Sequence, residues 1–272
     1  MQENSRQRRS SVPITRAIVS LRPATCARVR SGTISSASAV STHDGNASTG
    51  SEFTTDENTL DALRRAQELD FAGCEFDVHL TADDQLVIRH DDKIAPGLSC
   101  QGSTFEEIRA HKLPFGHQIP TLREWLEQAK KTPQMKQMLE IKAQKGDREK
   151  ILIAKSLEII RELDMLDQMY LLSFDAATLD EVLRQEPNVK VILNSSSLHN
   201  SLTPDEVEKR GYHAISYNIN VILNHVDWIE EFREKGIETF FWMVNTPYLY
   251  NMAKELGFTW VTTDFYDTIT QE

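Results

Sequence analysis

Cysteine is scarce in this chain of 272 residues: there are three, Cys26, Cys74 and Cys100, widely spaced. No disulfide framework and no CxxC zinc pattern can be built from them. Cys74 lies in an apolar run and reads as a small core residue. Long apolar runs are also missing, and none approaches the ~18 residues of a membrane span. Basic charge is in deficit, with 30 Lys and Arg against 41 Asp and Glu and a net charge of −11. Such a balance lacks the basic footprint that nucleic acid demands, so no nucleic-acid partner is expected. A small anionic substrate stays open, because one metal ion or a few cations can invert a local field. No GxGxxG or Walker-type loop occurs, so a nucleotide-binding open sheet lacks its usual mark.

What is there divides near residue 54. Residues 1 to 54 are rich in Ser and Thr and contain seven Arg and no Lys, with Glu3, Asp44 and Glu52 as their acids. They show no clear periodicity. An Arg-rich, acid-poor leader is similar to an organelle transit peptide, but the favoured reading is a disordered tail or an incorrectly called start of the reading frame. Nothing in it has the apolar core of a secretory signal. A soluble protein of undetermined compartment is expected, with a leader over 1–33 and a barrel over 34–272 whose first strand, 34–43, is weakly patterned.

From residue 55 the pattern is regular. Asp56 is positioned to cap a helix over about 57–71. A strand over 74–80 is followed by the short link 82–85 and a second strand over 86–90. Helical patterns at 104–111 and 121–131 precede a strand at 137–142. Helices and strands then alternate to residue 264, and several helices stop at Gly, as at Gly211, Gly236 and Gly257. Strand–helix alternation of this length means a parallel sheet with helices outside it, and about eight strands favour a closed TIM-type (β/α)8 barrel. A parallel crossover needs a dozen or more residues, so the short link 82–85 permits only a hairpin and one antiparallel strand.

Alternation along a strand places Glu75, Asp77 and His79 on one face and Phe76, Val78 and Leu80 on the other. The apolar set suits the helix layer. The acids then face the interior, where an unpaired carboxylate is costly. A turn centred on Asp83 and Asp84 would set Asp77 opposite His90 and Glu75 opposite Asp92. Glu140 and Lys142 form another pair two apart on a strand, at its C-terminal end, where such barrels keep their active sites. Three carboxylates from two strands suit one hard divalent cation, Mg²⁺ or Ca²⁺. A nearby histidine suits acid–base work. The blander reading of Glu140 with Lys142 is a rim salt bridge. His111, His117, His199, His213 and His225 show no matching spacing and read as surface or loop residues.

At these residues the chain resembles the glycerophosphodiester phosphodiesterase family. The matching stretches are Asp56-Glu57-Asn58-Thr59, Glu75-Phe76-Asp77-Val78, Leu80-Thr81-Ala82-Asp83, His90-Asp91, Ile119-Pro120-Thr121-Leu122 and Leu139-Glu140-Ile141-Lys142. They continue through Ser173-Phe174, Trp242-Met243-Val244-Asn245 and Thr263-Asp264. The resemblance implies a barrel with a small insertion after the third strand, here within 92–120. It implies that Glu75, Asp77 and Glu140 bind the metal, that His43 and His90 are the catalytic pair, that Lys142 faces the phosphate and that Trp242 walls the substrate pocket. The reaction implied is hydrolysis of a glycerophosphodiester, a small-molecule substrate, to glycerol 3-phosphate and an alcohol. The sequence sets no oligomeric state.

The front of the chain departs from the family, which opens with His-Arg-Gly. The nearest match is His43-Asp44-Gly45, with an acid where the phosphate-binding arginine stands. Two other readings follow: a catalytically impaired barrel that binds a phosphodiester or a protein, and a metal-dependent barrel acting on sugars. The hairpin does not suit the second.

Overall fold

The structure, a computed structural model, describes residues 17–20, 56–144, 146–242 and 244–263. His43, Asp44 and the strand expected over 34–43 lie outside the described residues. In chain order the elements begin with β1 (Ala17–Ser20), α1 (Leu60–Glu68), β2 (Gly73–Leu80) and β3 (Leu86–Ile88). The short pair β4 (Lys93–Ala95) and β5 (Leu98–Ser99) leads to α2 (Phe105–Ala110) and α3 (Leu122–Ala129). The alternating part comprises β6 (Lys136–Ile141), α4 (Arg148–Glu162), β7 (Met169–Ser173), α5 (Ala176–Gln185), β8 (Lys190–Ser195) and α6 (Pro204–Arg210). It ends with β9 (Ala214–Asn218), α7 (Ile219–Ile222), α8 (Trp228–Glu234), β10 (Glu238–Trp242), α9 (Pro247–Leu256) and β11 (Trp260–Thr263).

Nine of these strands form one curled, mostly parallel sheet in the order β1-β11-β10-β9-β8-β7-β6-β2-β3, while β4 and β5 pair with each other apart from it. The strands from β2 through β11 in that order pair in parallel. β3 returns antiparallel on β2, as the short link requires. β1 runs antiparallel to β11, inside the segment whose sequence shows no strand periodicity. The helices cover the outer face, as the fold of a TIM-type barrel demands. Phe76, Val78, Leu80, Leu139 and Ile141 join the large core between sheet and helices. The inner face closes on a smaller cluster of Met138, Tyr170, Leu172, Ile192, Ala214 and Phe240. Cys74 is a buried core residue, as its apolar run implies.

The insertion between residues 92 and 120 holds β4, β5 and α2. It has its own core, in which Val87 packs with Cys100, Ile108, Leu113 and Ile119. Capping boxes at Thr104 and Thr121 fix the starts of α2 and α3. At α1 the cap differs from the sequence expectation. Thr59 Oγ1 accepts from the Ala62 amide, and the helix starts at Leu60. Asp56 is drawn instead to the insertion, where its Oδ2 lies 2.9 Å from His117 Nδ1 and accepts from the Phe115 amide at 3.0 Å. Among the described residues, no helix is long and apolar enough to cross a membrane.

Candidate active site

The parallel register of β2 and β6 sets Glu75 beside Met138 and Asp77 beside Glu140. Met138 belongs to the inner cluster, so Glu75 stands level with it, and Asp77 and Glu140 stand one step above, towards the strands' C-terminal ends. Glu75, Asp77 and Glu140 are buried at 5%, 0% and 5% exposure. One carboxylate oxygen from each lies within 4.8 Å of the others, a grouping that can hold a metal ion. Lys142, the next inward residue of this strand path, reaches into the cluster. Its Nζ is 2.7 Å from Asp77 Oδ1 and 2.8 Å from Glu140 Oε1. Burial alone would lower the Lys142 ammonium, but Asp77 and Glu140 outweigh it and hold it above its usual range.

Charge tests whether these side chains suit a metal. Three carboxylate oxygens brought within 4.8 Å of one another repel, and a shared divalent ion would relieve that repulsion. An all-oxygen donor set of three carboxylates is what hard divalent ions prefer. The residues present fit such an ion.

Two further side chains support the acids. Asn58 takes a left-handed backbone, with φ of 55°, and is buried. From there its Nδ2 donates to Asp77 Oδ2 at 3.0 Å, and its Oδ1 accepts from the Asp77 amide at 3.3 Å. The Asp-Glu-Asn-Thr stretch carried this residue, but no spacing rule ties it to a partner 19 residues away. His79 is buried two residues beyond Asp77. Its Nε2 lies 3.2 Å from the carbonyl oxygen of His90. A carbonyl only accepts, so that nitrogen carries the hydrogen. Burial is the largest influence on its imidazole and lowers its pKa, which favours the neutral ring.

The hairpin corrects the expected register. The pairs are Val78 with Ile88, His79 with Val87 and Leu80 with Leu86. The Arg89 amide donates to the Asp77 carbonyl at 3.0 Å, so Arg89, and not His90, stands opposite Asp77. Continued two residues further, the same register would set Glu75 level with Asp91, not Asp92. The cause is an odd loop. Ala82, Asp83 and Asp84 span the turn, Thr81 and Gln85 close it, and Asp84 takes a φ of 60°. Thr81 Oγ1 accepts from the Gln85 amide and donates to Asp83. Arg89 pairs with Glu57 at 3.0 Å, which ties the hairpin to the Asn58 loop.

His90 therefore sits just past the end of β3, half-buried, with its Nδ1 3.0 Å from Asp91 Oδ1. Trp242 ends β10 on the same inward face as Phe240, is buried, and donates from Nε1 to the Ser216 carbonyl at 2.9 Å. Phe174 meets it edge-on at 6.1 Å. The structure thus brings together Glu75, Asp77, Glu140 and Lys142, and sets Trp242 on the inner wall.

Fold and site together define a (β/α) barrel whose acid cluster lies at the C-terminal ends of its strands, with an antiparallel hairpin beside it. The sequence model of the Glycerophosphoryl diester phosphodiesterase family matches residues 43–268. The chain belongs to that family. It is 28% identical over 233 residues to a glycerophosphodiester phosphodiesterase of Caldanaerobacter subterraneus subsp. tengcongensis, covering 78% of this chain and 90% of the relative. A crystal structure of a glycerophosphodiester phosphodiesterase from Parabacteroides distasonis matches with a TM-score of 0.73 and 29% identity, over 79% of this chain and 88% of the other. An Oleispira antarctica phosphodiesterase, solved with the product sn-glycerol-3-phosphate, shares the fold at a TM-score of 0.71 and 21% identity, over 79% and 90% of the two chains.

Proposed function

We propose that this chain hydrolyses glycerophosphodiesters to glycerol 3-phosphate and an alcohol, with one divalent ion, Mg²⁺ or Ca²⁺, held by Glu75, Asp77 and Glu140. The observation that carries the reading is the buried triad bridged by Lys142 in a chain of this family. When bound, the ion supplies positive charge to the phosphodiester oxygens as negative charge builds there.

Lys142 supplies a second positive charge from the same inner face. Asn58 fixes the Asp77 carboxylate, and Trp242 forms a wall against which the glycerol moiety packs. His90 is one acid–base residue. Asp91 engages its Nδ1, which makes Nε2 the nitrogen that handles the proton. His43 is the other. One of them takes the proton from the attacking hydroxyl, whether of water or of the substrate's own glycerol. The other returns a proton to the leaving alcohol oxygen as its bond to phosphorus breaks. When the glycerol hydroxyl attacks first, water then opens the cyclic product, and the net reaction is the same.

A second reading is motivated by Asp44, which stands where the family has its phosphate-binding arginine. An acid facing the phosphate would repel it, and the barrel would then bind phosphodiesters with little turnover.

The test is release of glycerol 3-phosphate from glycerophosphocholine by the full chain, beside His43→Ala and His90→Ala. Hydrolysis that falls by ~10²–10⁴ in each variant supports the paired-histidine mechanism. Unchanged turnover in His43→Ala removes that residue from it. Binding without product, from several glycerophosphodiesters, supports the impaired reading.

A further inference from the structure

Among the described residues, the exposed large apolar side chains all gather at one end of the barrel. Phe174 follows β7, Leu198 follows β8, Leu223 and Val226 follow β9, and Tyr248 follows β10. Each lies in or beside the connection from a strand's C-terminal end to the next helix. Ile151 is in the first turn of α4, which starts at that same end. Phe115 belongs to the insertion, and its amide donates to Asp56, two residues before the Asn58 that holds Asp77. The helix-to-strand turns at the other end carry none, and hold charged residues such as Lys131, Asp164, Asp167 and Lys235. Singly exposed apolar residues are ordinary on any surface, but a gathering of them around one opening marks an interaction site.

The rim is also without formal charge over long stretches. Residues 191–204, 211–226 and 239–253 contain no Asp, Glu, Lys or Arg, although charged residues make up 26% of the chain. Each stretch covers a strand, apart from the first residues Lys190 and Glu238 of β8 and β10, and runs into the connection at its C-terminal end. A surface of this kind gains little from charged partners and loses little when covered by an uncharged layer. Tyr248, 75% exposed, has the amphipathic ring that favours the boundary between hydrocarbon and water.

From these observations we infer that the apolar rim docks the barrel on a zwitterionic lipid surface. A second copy of the chain seated there would close the mouth against substrate. A lipid surface instead presents phosphodiester headgroups to it. The headgroup of a single-chain phosphatidylcholine is itself a glycerophosphodiester, and its acyl chain would leave the site across the rim. Phe174, 39% exposed and edge-on to Trp242, makes the aromatic wall continuous from the interior to that rim. The choice of headgroup rests on the hydrolase reading, whereas the docking itself does not.

The experiment sediments the full chain with phosphatidylcholine vesicles, with and without added salt. Wild type is expected to partition onto them without loss at high salt. Combined Leu198→Ser, Leu223→Ser and Tyr248→Ser is expected to weaken that partition by about tenfold or more, with glycerophosphocholine hydrolysis unchanged. Leu223→Trp is expected to strengthen it, which keeps the test decisive if the triple variant folds poorly. Equal partition of wild type and both variants would overturn the proposal. So would failure of wild type to sediment, binding only to anionic vesicles, or an apolar-rim dimer that the triple variant dissolves. Sedimentation needs no turnover, so a protein that binds vesicles but hydrolyses nothing counts against the hydrolase reading alone.

Discussion

Lys142 Nζ lies 2.7 Å from Asp77 Oδ1, and the same ammonium reaches Glu140 at 2.8 Å. It is a built-in cation among carboxylates that also suit a metal. Removing one partner of a buried ion pair typically costs ~3–5 kcal/mol. In chelator, Lys142→Met should therefore melt well below wild type. A divalent ion should restore much of that loss, since saturation at a hundredfold excess over Kd contributes about 2.7 kcal/mol. Turnover should remain down by ~10²–10³, because the charge facing the phosphate is gone. Thermal melts with and without metal, beside steady-state rates, check all three outcomes. Melting equal to wild type in chelator would show that the ammonium is not holding the carboxylates.

Asn58 grips Asp77 at two points from a left-handed backbone. Asn58→Gly keeps the backbone freedom and removes the grip. Loss of a side chain that orients a metal-binding group typically costs 10- to 100-fold in affinity, so metal affinity should fall by ~10- to 100-fold. Asn58→Ala should lose the same affinity and additional stability, because Ala disfavours that φ. Equal metal affinity in Asn58→Gly and wild type would make the grip a folding feature only.

His79 holds the His90 carbonyl from inside the barrel. His79→Ala should lower kcat by about tenfold with little change in KM, through displacement of His90. His79→Gln, which can donate to the same carbonyl, should recover most of the loss. Failure of Gln to recover more than Ala would argue that the ring fills space and nothing else.

Cys100 is buried in the insertion core, and burial pushes its thiol up to about 12. A raised thiol pKa means less thiolate at any given pH, and thiolate is the species that alkylates. Native protein should leave Cys100 unlabelled by iodoacetamide from pH 7 through pH 9, and denaturant should expose it to full labelling. Peptide mass spectrometry reads the difference. Rapid native labelling at pH 8 would show that the insertion opens readily.

Periodicity carried much of the architecture. The two-residue alternation of Glu75 and Asp77, and of Glu140 and Lys142, placed these residues on one face. The structure brings all four together. The short link after Leu80 made a hairpin unavoidable, and β3 is antiparallel. Its register was not legible. Asp83-Asp84 carries no glycine to mark a left-handed position, so an even turn and an odd one looked alike. Asp84 takes the positive φ as a non-glycine residue, and every pair shifts by one. The α1 cap was misplaced for a similar reason. Asp56 and Thr59 both qualify as caps, and only the distant His117 decides that Asp56 is used elsewhere. The hold of Asn58 on Asp77 joins residues with no shared periodicity, so it emerges only from the fold.

Calorimetric titration of chelated protein with Ca²⁺ and with Mg²⁺ tests most directly whether the acid triad is a metal site. One ion is expected to bind per chain, with binding lost or weakened by orders of magnitude in each of Glu75→Gln, Asp77→Asn and Glu140→Gln. Wild type that binds no divalent ion, or three variants that bind as wild type does, would contradict it.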